Sequence, residues 1–221
     1  MSTPRRFSQE HFKGPPGSTE LVLVRHGASA DAVEGEDFER VDGHGDPPLS
    51  EMGQRQADLV AERLMRQPFD AIYITTLQRT AETAAPLAAR SGLTPVVEAD
   101  LREVHLGQWE GGLFRQKIVD QDPLALRMFA EQRWDVIPGA ESSEAFAARI
   151  RAGIERIAAA HVDGRVVVIS HGGVIGQALA QASGSQAFAF VGADNTSISK
   201  LIVTKDRWLV RGFNETTHLI D

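Results

Sequence analysis

Short apolar runs separated by longer amphipathic stretches constrain this chain more than any other feature of its sequence. Leu21-Val22-Leu23-Val24, Ala71-Ile72-Tyr73-Ile74, Thr94-Pro95-Val96-Val97 and the stretch from Arg165 to Ser170 are four to six residues long and do not alternate apolar with polar. That is the pattern of strands buried on both faces. Between them lie helical signals. Ser50 is placed to cap a helix running to about Gln67, with Leu59, Arg63 and Leu64 at helical spacing, and Leu77 to Arg90 predicts another that stops near Gly92. Residues 113–132 read as two short helices with Pro123 opening the second. Ser142 or Ser143 opens a long helix that carries Phe146, Ile150, Ile154 and Ile157 on one face. Gly172-Gly173 leads into one more helix, and Ile198 to Thr204 with Trp208 to Phe213, split by Lys205-Asp206-Arg207, predicts a closing hairpin. Strands alternating with helices predict an α/β fold: a three-layer sandwich whose mostly parallel central sheet is flanked by helices.

Composition narrows the chemistry. With 221 residues and 42% apolar content, residues 19–221 suffice for a single domain with a proper core, preceded by an irregular leader over residues 1–18. The chain has no cysteine, which excludes a thiol nucleophile and cysteine-held zinc or iron–sulfur clusters. Its net charge is −7 and no stretch is rich in Lys and Arg, so no footprint for nucleic acid or an anionic membrane is present. No apolar run reaches membrane-spanning length. No apolar segment follows Arg5-Arg6, which argues against a signal peptide, and Glu10 with Pro15-Pro16 argues against an import sequence; a cytoplasmic location is the expectation. A homodimer remains open.

Two of the apolar runs end in histidine followed by glycine: Arg25-His26-Gly27 and Ser170-His171-Gly172-Gly173. Ligands of open α/β sheets bind at the carboxyl ends of strands, so these two ends are candidates for one crevice. The helix that begins at Gly172 would turn its free N–H groups toward an anion. The loop Thr76-Leu77-Gln78-Arg79-Thr80 after the second strand adds Arg79, and Leu101-Arg102-Glu103 after the third adds a carboxylate. A lone strand-end histidine is usually structural. Zinc held by His26 and His171 with His44 or Asp46 is a second reading, opposed by the repulsion that Arg25 and Arg79 would exert on a cation. Taken together, two histidines, two arginines and a carboxylate at four strand ends point to phosphoryl transfer, because the planar guanidinium fork suits phosphate oxygens.

Five motifs in order resemble the histidine phosphatase superfamily, the phosphoglycerate mutase-like proteins, across nearly all of residues 20–215. They are Arg25-His26-Gly27; Gly43, Asp46, Pro48-Leu49-Ser50, Gly53, Gln56 and Ala57; Thr76 through Ala84 around Arg79; Leu101-Arg102-Glu103 with Gly107-Gln108-Trp109-Glu110-Gly111; and Ser170-His171-Gly172-Gly173. Ala28-Ser29 and Ala32 depart from the family, which often has Glu-Thr or Gln-Thr at the first two places and asparagine or tryptophan at the third.

The resemblance implies a phosphoglycerate mutase-like fold and a small phosphorylated substrate. Neutral His26 would attack phosphorus, while Arg25, Arg79 and His171, with Gly172 and Ser29, contact the phosphate. Glu103 would give a proton to the leaving group and later take one from water. No metal or other cofactor is required by that scheme. Residues 112–141 then fall where a lid or specificity segment would lie, with Phe114, Arg115, Lys117, Phe129, Arg133 and Trp134 either lining the pocket or packing the lid. A mutase using the same phosphohistidine is the nearest rival. The shortness of the segment from Gly111 to Ser142 favours hydrolysis. So would the acidic loop from Ala28 to Asp46, if it borders the site; a solvated surface loop is the other reading of it. A phospho-ligand-binding protein that has lost catalysis is a third possibility, against which the intact His26, Glu103 and His171 stand.

Overall fold

The computed structural model describes residues 7–9 and 11–220. Its main sheet has six strands: β1 (Thr19–Arg25), β4 (Ala71–Ile74), β5 (Val96–Val97), β6 (Arg165–Ser170), β7 (Ile198–Val203) and β8 (Trp208–Glu215), in the order β5-β4-β6-β1-β7-β8. The first four are mutually parallel, and β7 and β8 add an antiparallel hairpin beside β1. Two-residue strands β2 (Arg40–Val41) and β3 (His44–Gly45) form a separate small hairpin. The helices are α1 (Glu51–Leu64), α2 (Gln78–Ser91), α3 (Leu113–Val119), α4 (Pro123–Glu131), α5 (Ser143–Ala160) and α6 (Gly172–Ser183).

The non-alternating strands are explained by what lies on each side. Leu21 and Leu23 of β1, with Val166 and Val168 of β6, turn toward a core that includes Phe146, Ile150, Ile154 and Ile157 of α5 and Ile175 and Leu179 of α6. Their neighbours Val22, Val24, Val167 and Ile169 turn the other way, toward Val60 and Leu64 of α1 and Ala84 and Leu87 of α2. Successive side chains point to opposite faces, so a strand covered on both must be apolar throughout. This is the α/β sandwich that the alternation predicts.

Local signals hold with two exceptions. Ser50 caps α1, its hydroxyl accepting from Gly53 N–H at 3.1 Å, and Ser142 caps α5 through Ala145 N–H at the same distance; such caps contribute about 1 kcal/mol each. Leu59, one of the residues whose spacing marked α1, is 40% exposed; small residues Ala57 and Ala61 carry the packed face with Val60 and Leu64. The strand expected from Thr94 shrinks to Val96–Val97 at the sheet edge, where both side chains are exposed. Arg79 stands in the first turn of α2, within the helix read from Leu77 onward, but a 3-10 turn (Ala99–Leu101) separates β5 from Glu103, which was expected directly after the third strand. Of the leader over residues 1–18, positions 1–6 and 10 lie outside the described residues. The described remainder runs without helix or strand into β1, where Gly17 N–H donates to Asp163 Oδ1 at 2.6 Å and Ser18 C=O accepts from Asp163 N–H at 2.9 Å. Among the described residues no helix is long and apolar enough to cross a membrane.

Candidate active site

Strand register brings the two histidines together. Arg25 is level with Ser170 across the parallel β1–β6 pair, so the next residue on each strand, His26 and His171, emerges at the same sheet edge. Their rings meet edge-on with centroids 5.2 Å apart. Parallel β4 lies on the far side of β6, and Thr75, just beyond its end, reaches His171 Nε2 with its hydroxyl at 3.0 Å.

Glycine makes the turn after His26 possible. A Cβ on Gly27 would stand 2.6 Å from Gly53 O, and one on Gly53 would stand 2.0 Å from Ala28 O. The backbone of this turn therefore lies directly on the first turn of α1. Gln56 Oε1 accepts from Ala28 N–H at 2.9 Å, and Thr83 Oγ1 of α2 accepts from Gly27 N–H at 3.0 Å. The scattered residues of the second and third motifs thus frame the first.

His26 is buried. Its Nδ1–H donates to Gly27 O at 2.7 Å, which leaves the lone pair on Nε2, and Arg79 Nε–H points at that atom from 3.3 Å. Burial, together with the Arg79 and Arg25 charges, holds His26 well below the ordinary imidazole value, so the ring is neutral at pH 7. Burial, Arg79 and His26 do the same to fully buried His171. Thr75 Oγ1 also accepts from Leu77 N–H at 3.3 Å and lies 3.1 Å from Thr80 Oγ1. His171 Nδ1, Arg25 Nε and His44 Nε2 are buried polar atoms without a partner among the described residues, and all three belong to this region. A buried polar atom left unmet costs about 1–3 kcal/mol, so their concentration marks a place built for a polar guest.

The carboxylate is held from behind. Glu103 Oε1 accepts from Val104 N–H at 3.0 Å and Oε2 from Gly173 N–H at 3.1 Å. This takes one of the N–H groups of the α6 N-terminus that sequence reasoning left for phosphate. Arg149 of α5 ties down the backbone below: Nη1 donates to Asp100 O and Arg102 O, each at 2.7 Å, and Nη2 to Glu103 O at 2.8 Å. The same guanidinium makes a two-point ion pair with Glu141, at 2.7 and 2.8 Å.

The cleft over these groups has a volume of about 220 Å3. Its polar lining includes Arg25, His26, His44, Arg79, Glu103, Glu110 and Arg115; its apolar lining includes Phe38, Leu106, Trp109, Phe114 and Trp134. Arg79 Nη1 lies 3.6 Å from Asp46 Oδ1 and donates to Gly45 O at 3.1 Å. Glu110 pins the β2–β3 hairpin by accepting from Gly45 N–H at 2.8 Å.

Five of the expected site residues converge: Arg25, His26, Arg79 and Glu103 line the cleft, and His171 backs His26 without reaching the lining. Ser29 does not line it either; its hydroxyl accepts from Arg115 Nη2 at 2.6 Å. Gly172 opens α6 alongside Arg25, whose Nε would stand 3.5 Å from a Cβ at that position. Phe114, Arg115 and Trp134 face the cleft, whereas Lys117 pairs with Asp122, Arg133 with Asp135, and Phe129 packs on Phe188. The acidic loop borders the cleft through Phe38, His44 and Gly45, while Asp31, Glu34, Glu36, Asp37, Glu39 and Asp42 are exposed and only Asp46 is buried. No group of three or more His, Asp or Glu side chains among the described residues is arranged to hold a metal ion. Arg115 was expected only as a residue of the lid segment and His44 only as a metal ligand; their place beside the phosphoryl site follows from no local pattern.

Comparison with known proteins agrees with this geometry. Residues 21–216 match the model of the histidine phosphatase superfamily (branch 1). Phosphoglycerate mutase-like protein 4 of Arabidopsis thaliana is 35% identical over 205 residues, covering 90% of this chain and 86% of that protein. A metal-independent phosphoserine phosphatase of the same plant is 32% identical over 208 residues, covering 91% and 83%. The solved structure of a mycobacterial glucosyl-3-phosphoglycerate phosphatase superposes with a TM-score of 0.74 at 30% identity, over 90% of this chain and 100% of that one.

Proposed function

The chain belongs to the histidine phosphatase superfamily, and from that premise we propose that it hydrolyses a small phosphomonoester through a phosphohistidine on His26. The observation that carries this reading is the state of His26: neutral, its Nδ1 proton held by Gly27 O, its Nε2 lone pair facing the cleft region beside Arg79. A buried imidazole in that tautomer is a nucleophile that needs no separate base.

The entering phosphate draws the Arg79 N–H groups onto its own oxygens, which uncovers Nε2. Arg25 supplies an unpartnered Nε–H, and the His171 ring, whose Nδ1 also has no partner among the described residues, stands behind His26. Phosphoryl transfer needs mostly positioning and charge stabilisation, and these donors provide both. In the first step the Nε2–P bond forms as the P–O bond to the leaving group breaks, and Glu103 gives that oxygen a proton. In the second, water attacks phosphorus, Glu103 takes its proton, and the P–N bond breaks to release phosphate.

The substrate is a small phosphorylated metabolite with an alcohol leaving group. Two observations support that class: the modest cleft, with aromatic side chains opposite the charged ones, and relatives named for phosphoserine and glucosyl-3-phosphoglycerate. Transfer to water is favoured over transfer to a second phosphorylated acid. The cationic side chains lining the cleft are Arg25, Arg79 and Arg115, whose charges all act on His26, and no lining cation is set apart for a second phosphate.

Brief incubation with radiolabelled phosphoserine or 3-phosphoglycerate tests the reading. Acid-labile, base-stable label is expected on the protein, and His26→Ala abolishes both label and turnover with an unchanged circular dichroism spectrum. Label that survives His26→Ala overturns the assignment.

A further inference from the structure

We propose that Arg115 is a phosphate-binding residue, carried to the phosphoryl site by α3 and held there by Ser29. This rests on the reading above, that phosphoryl chemistry takes place at His26.

Arg115 lines the same cleft as Arg25, His26 and Arg79, and lies close enough for its charge to act on all three. Two of its N–H groups are spent on anchoring: Nη2 donates to Ser29 Oγ at 2.6 Å and Nη1 to Ala30 O at 2.7 Å. A guanidinium has five donors, so three have no partner among the described residues. Neither Arg115 nor Arg25 has a carboxylate within ion-pair distance among the described residues, whereas Arg79 has Asp46. A side chain that served only to staple α3 to the turn after His26 would have no need to bring to the cleft a charge without a contacting carboxylate; Asp31 acts on it only from beyond ion-pair distance. Like charges gathered around one neutral imidazole cost free energy until an anion enters.

The approach of α3 that makes this possible depends on two small residues. Gly112, just before α3, has φ +107°; a Cβ there would stand 2.9 Å from Ala32 Cβ and 3.1 Å from the Phe38 ring. The start of the helix is therefore seated on Ala32, and three residues later Arg115 falls over Ser29. Ser29 thus serves the phosphate indirectly: it fixes one edge of the guanidinium and leaves the rest for phosphoryl oxygens. Preset in this way, the fork loses little further freedom on binding.

Arg115→Met, Ser29→Ala and the double variant test this against wild type. The readouts are the affinity for inorganic phosphate by competitive inhibition and kcat/KM on two substrates, p-nitrophenyl phosphate, which has no second anionic group, and phosphoserine, which has a carboxylate. Thermal melting confirms folding. One charge-assisted hydrogen bond is worth about 10- to 100-fold in binding, so Arg115→Met is expected to weaken phosphate and lower kcat/KM by that factor on both substrates alike. Ser29→Ala is expected to cost less, and to cost nothing further in the Arg115→Met background. Unchanged phosphate affinity in Arg115→Met overturns the proposal. So does a loss confined to phosphoserine, which would assign Arg115 to the leaving group's carboxylate, or full additivity of the two substitutions. His26 labelling is independent of these outcomes, so failure here is distinguishable from failure of the phosphohistidine reading.

Discussion

Gly173→Ala offers a way to move the proton donor without touching it. Gly173 is the second residue of α6 and has no need of a left-handed backbone, so alanine there is compatible with the helix and changes stability by no more than about 1 kcal/mol. Its added Cβ, however, would stand 2.4 Å from Glu103 Oε1 and 3.2 Å from Cδ. The carboxyl group must retreat by at least about 0.6 Å to reach the closest contact real Cβ atoms make. In doing so it strains the 3.1 Å bond from Gly173 N–H to Oε2. Arg149 holds the backbone below Glu103, so the side chain has to absorb the shift. Misplacement of a reacting group by about 1 Å can cost about 100-fold, and general acid catalysis as a whole supplies about 10²–10⁴-fold. Turnover of an alkyl phosphate such as phosphoserine should therefore fall about 30- to 100-fold. p-Nitrophenol leaves readily as an anion, so the burst of p-nitrophenolate in stopped flow should slow by less than about 5-fold. Adding Gly173→Ala to Glu103→Gln should cost little more. Equal losses in the two substrates' phosphorylation steps, or undiminished turnover of phosphoserine, would refute the assignment of Glu103 as donor.

Two further outcomes follow from the same coordinates. Arg149→Met leaves Glu141 unpaired and frees three carbonyls of the Glu103 segment; it should cost about 2–3 kcal/mol in urea denaturation and depress phosphoserine turnover more than p-nitrophenyl phosphate turnover, whereas equal depression would mean that Arg149 does not position the donor. His26 and His171 are held well below the ordinary value in the folded protein, so as pH falls below about 6.5 the unfolded chain gains protons that the folded one refuses. Stability is full above that pH and declines on acidification, by up to about 1.4 kcal/mol per pH unit for each histidine. Urea denaturation at pH 6.5 and 5.5 should show this slope, to which His44 and His218 add in the same direction, His171→Asn should reduce it, and a flat profile would contradict the buried neutral pair.

Much of this molecule was legible because strands buried on both faces leave an unmistakable pattern. Leu21-Val22-Leu23-Val24 and Val166-Val167-Val168-Ile169 could not face water on either side, so each had to lie inside a sheet with helices on both faces. Once those two strands are parallel neighbours, Arg25 falls level with Ser170, and the next residues, His26 and His171, meet without further instruction. Glycine was equally informative for the turn after His26, where Gly27 and Gly53 permit backbone-to-backbone contact. The spacing of Leu59, Arg63 and Leu64 marked α1 as a helix but not its packed face, which is made partly of alanine and lets the helix sit close to the sheet.

Arg115 and Arg149 share a different kind of position. Arg115 reaches back 86 residues to Ser29, and Arg149 reaches 46 to Glu103. Neither contact has a period or a spacing, since each depends on how a helix is docked and not on what the helix is. The docking is set by contacts that involve small side chains: Ala32 under Gly112 for α3, and Leu101 and Asp100 against Gly153 for α5, where a Cβ would stand 3.1–3.3 Å from them. A glycine or alanine carries no chemical label, so the sequence shows that the arginines exist but not which carbonyl, hydroxyl or phosphate they meet. Of the groups that define the reaction, Arg25, His26 and His171 sit at strand ends, where backbone geometry alone places them, while Arg79 stands on the first turn of α2 and Glu103 follows a 3-10 turn. Those that tune it are delivered by helices, and their placement becomes legible only when the packing does.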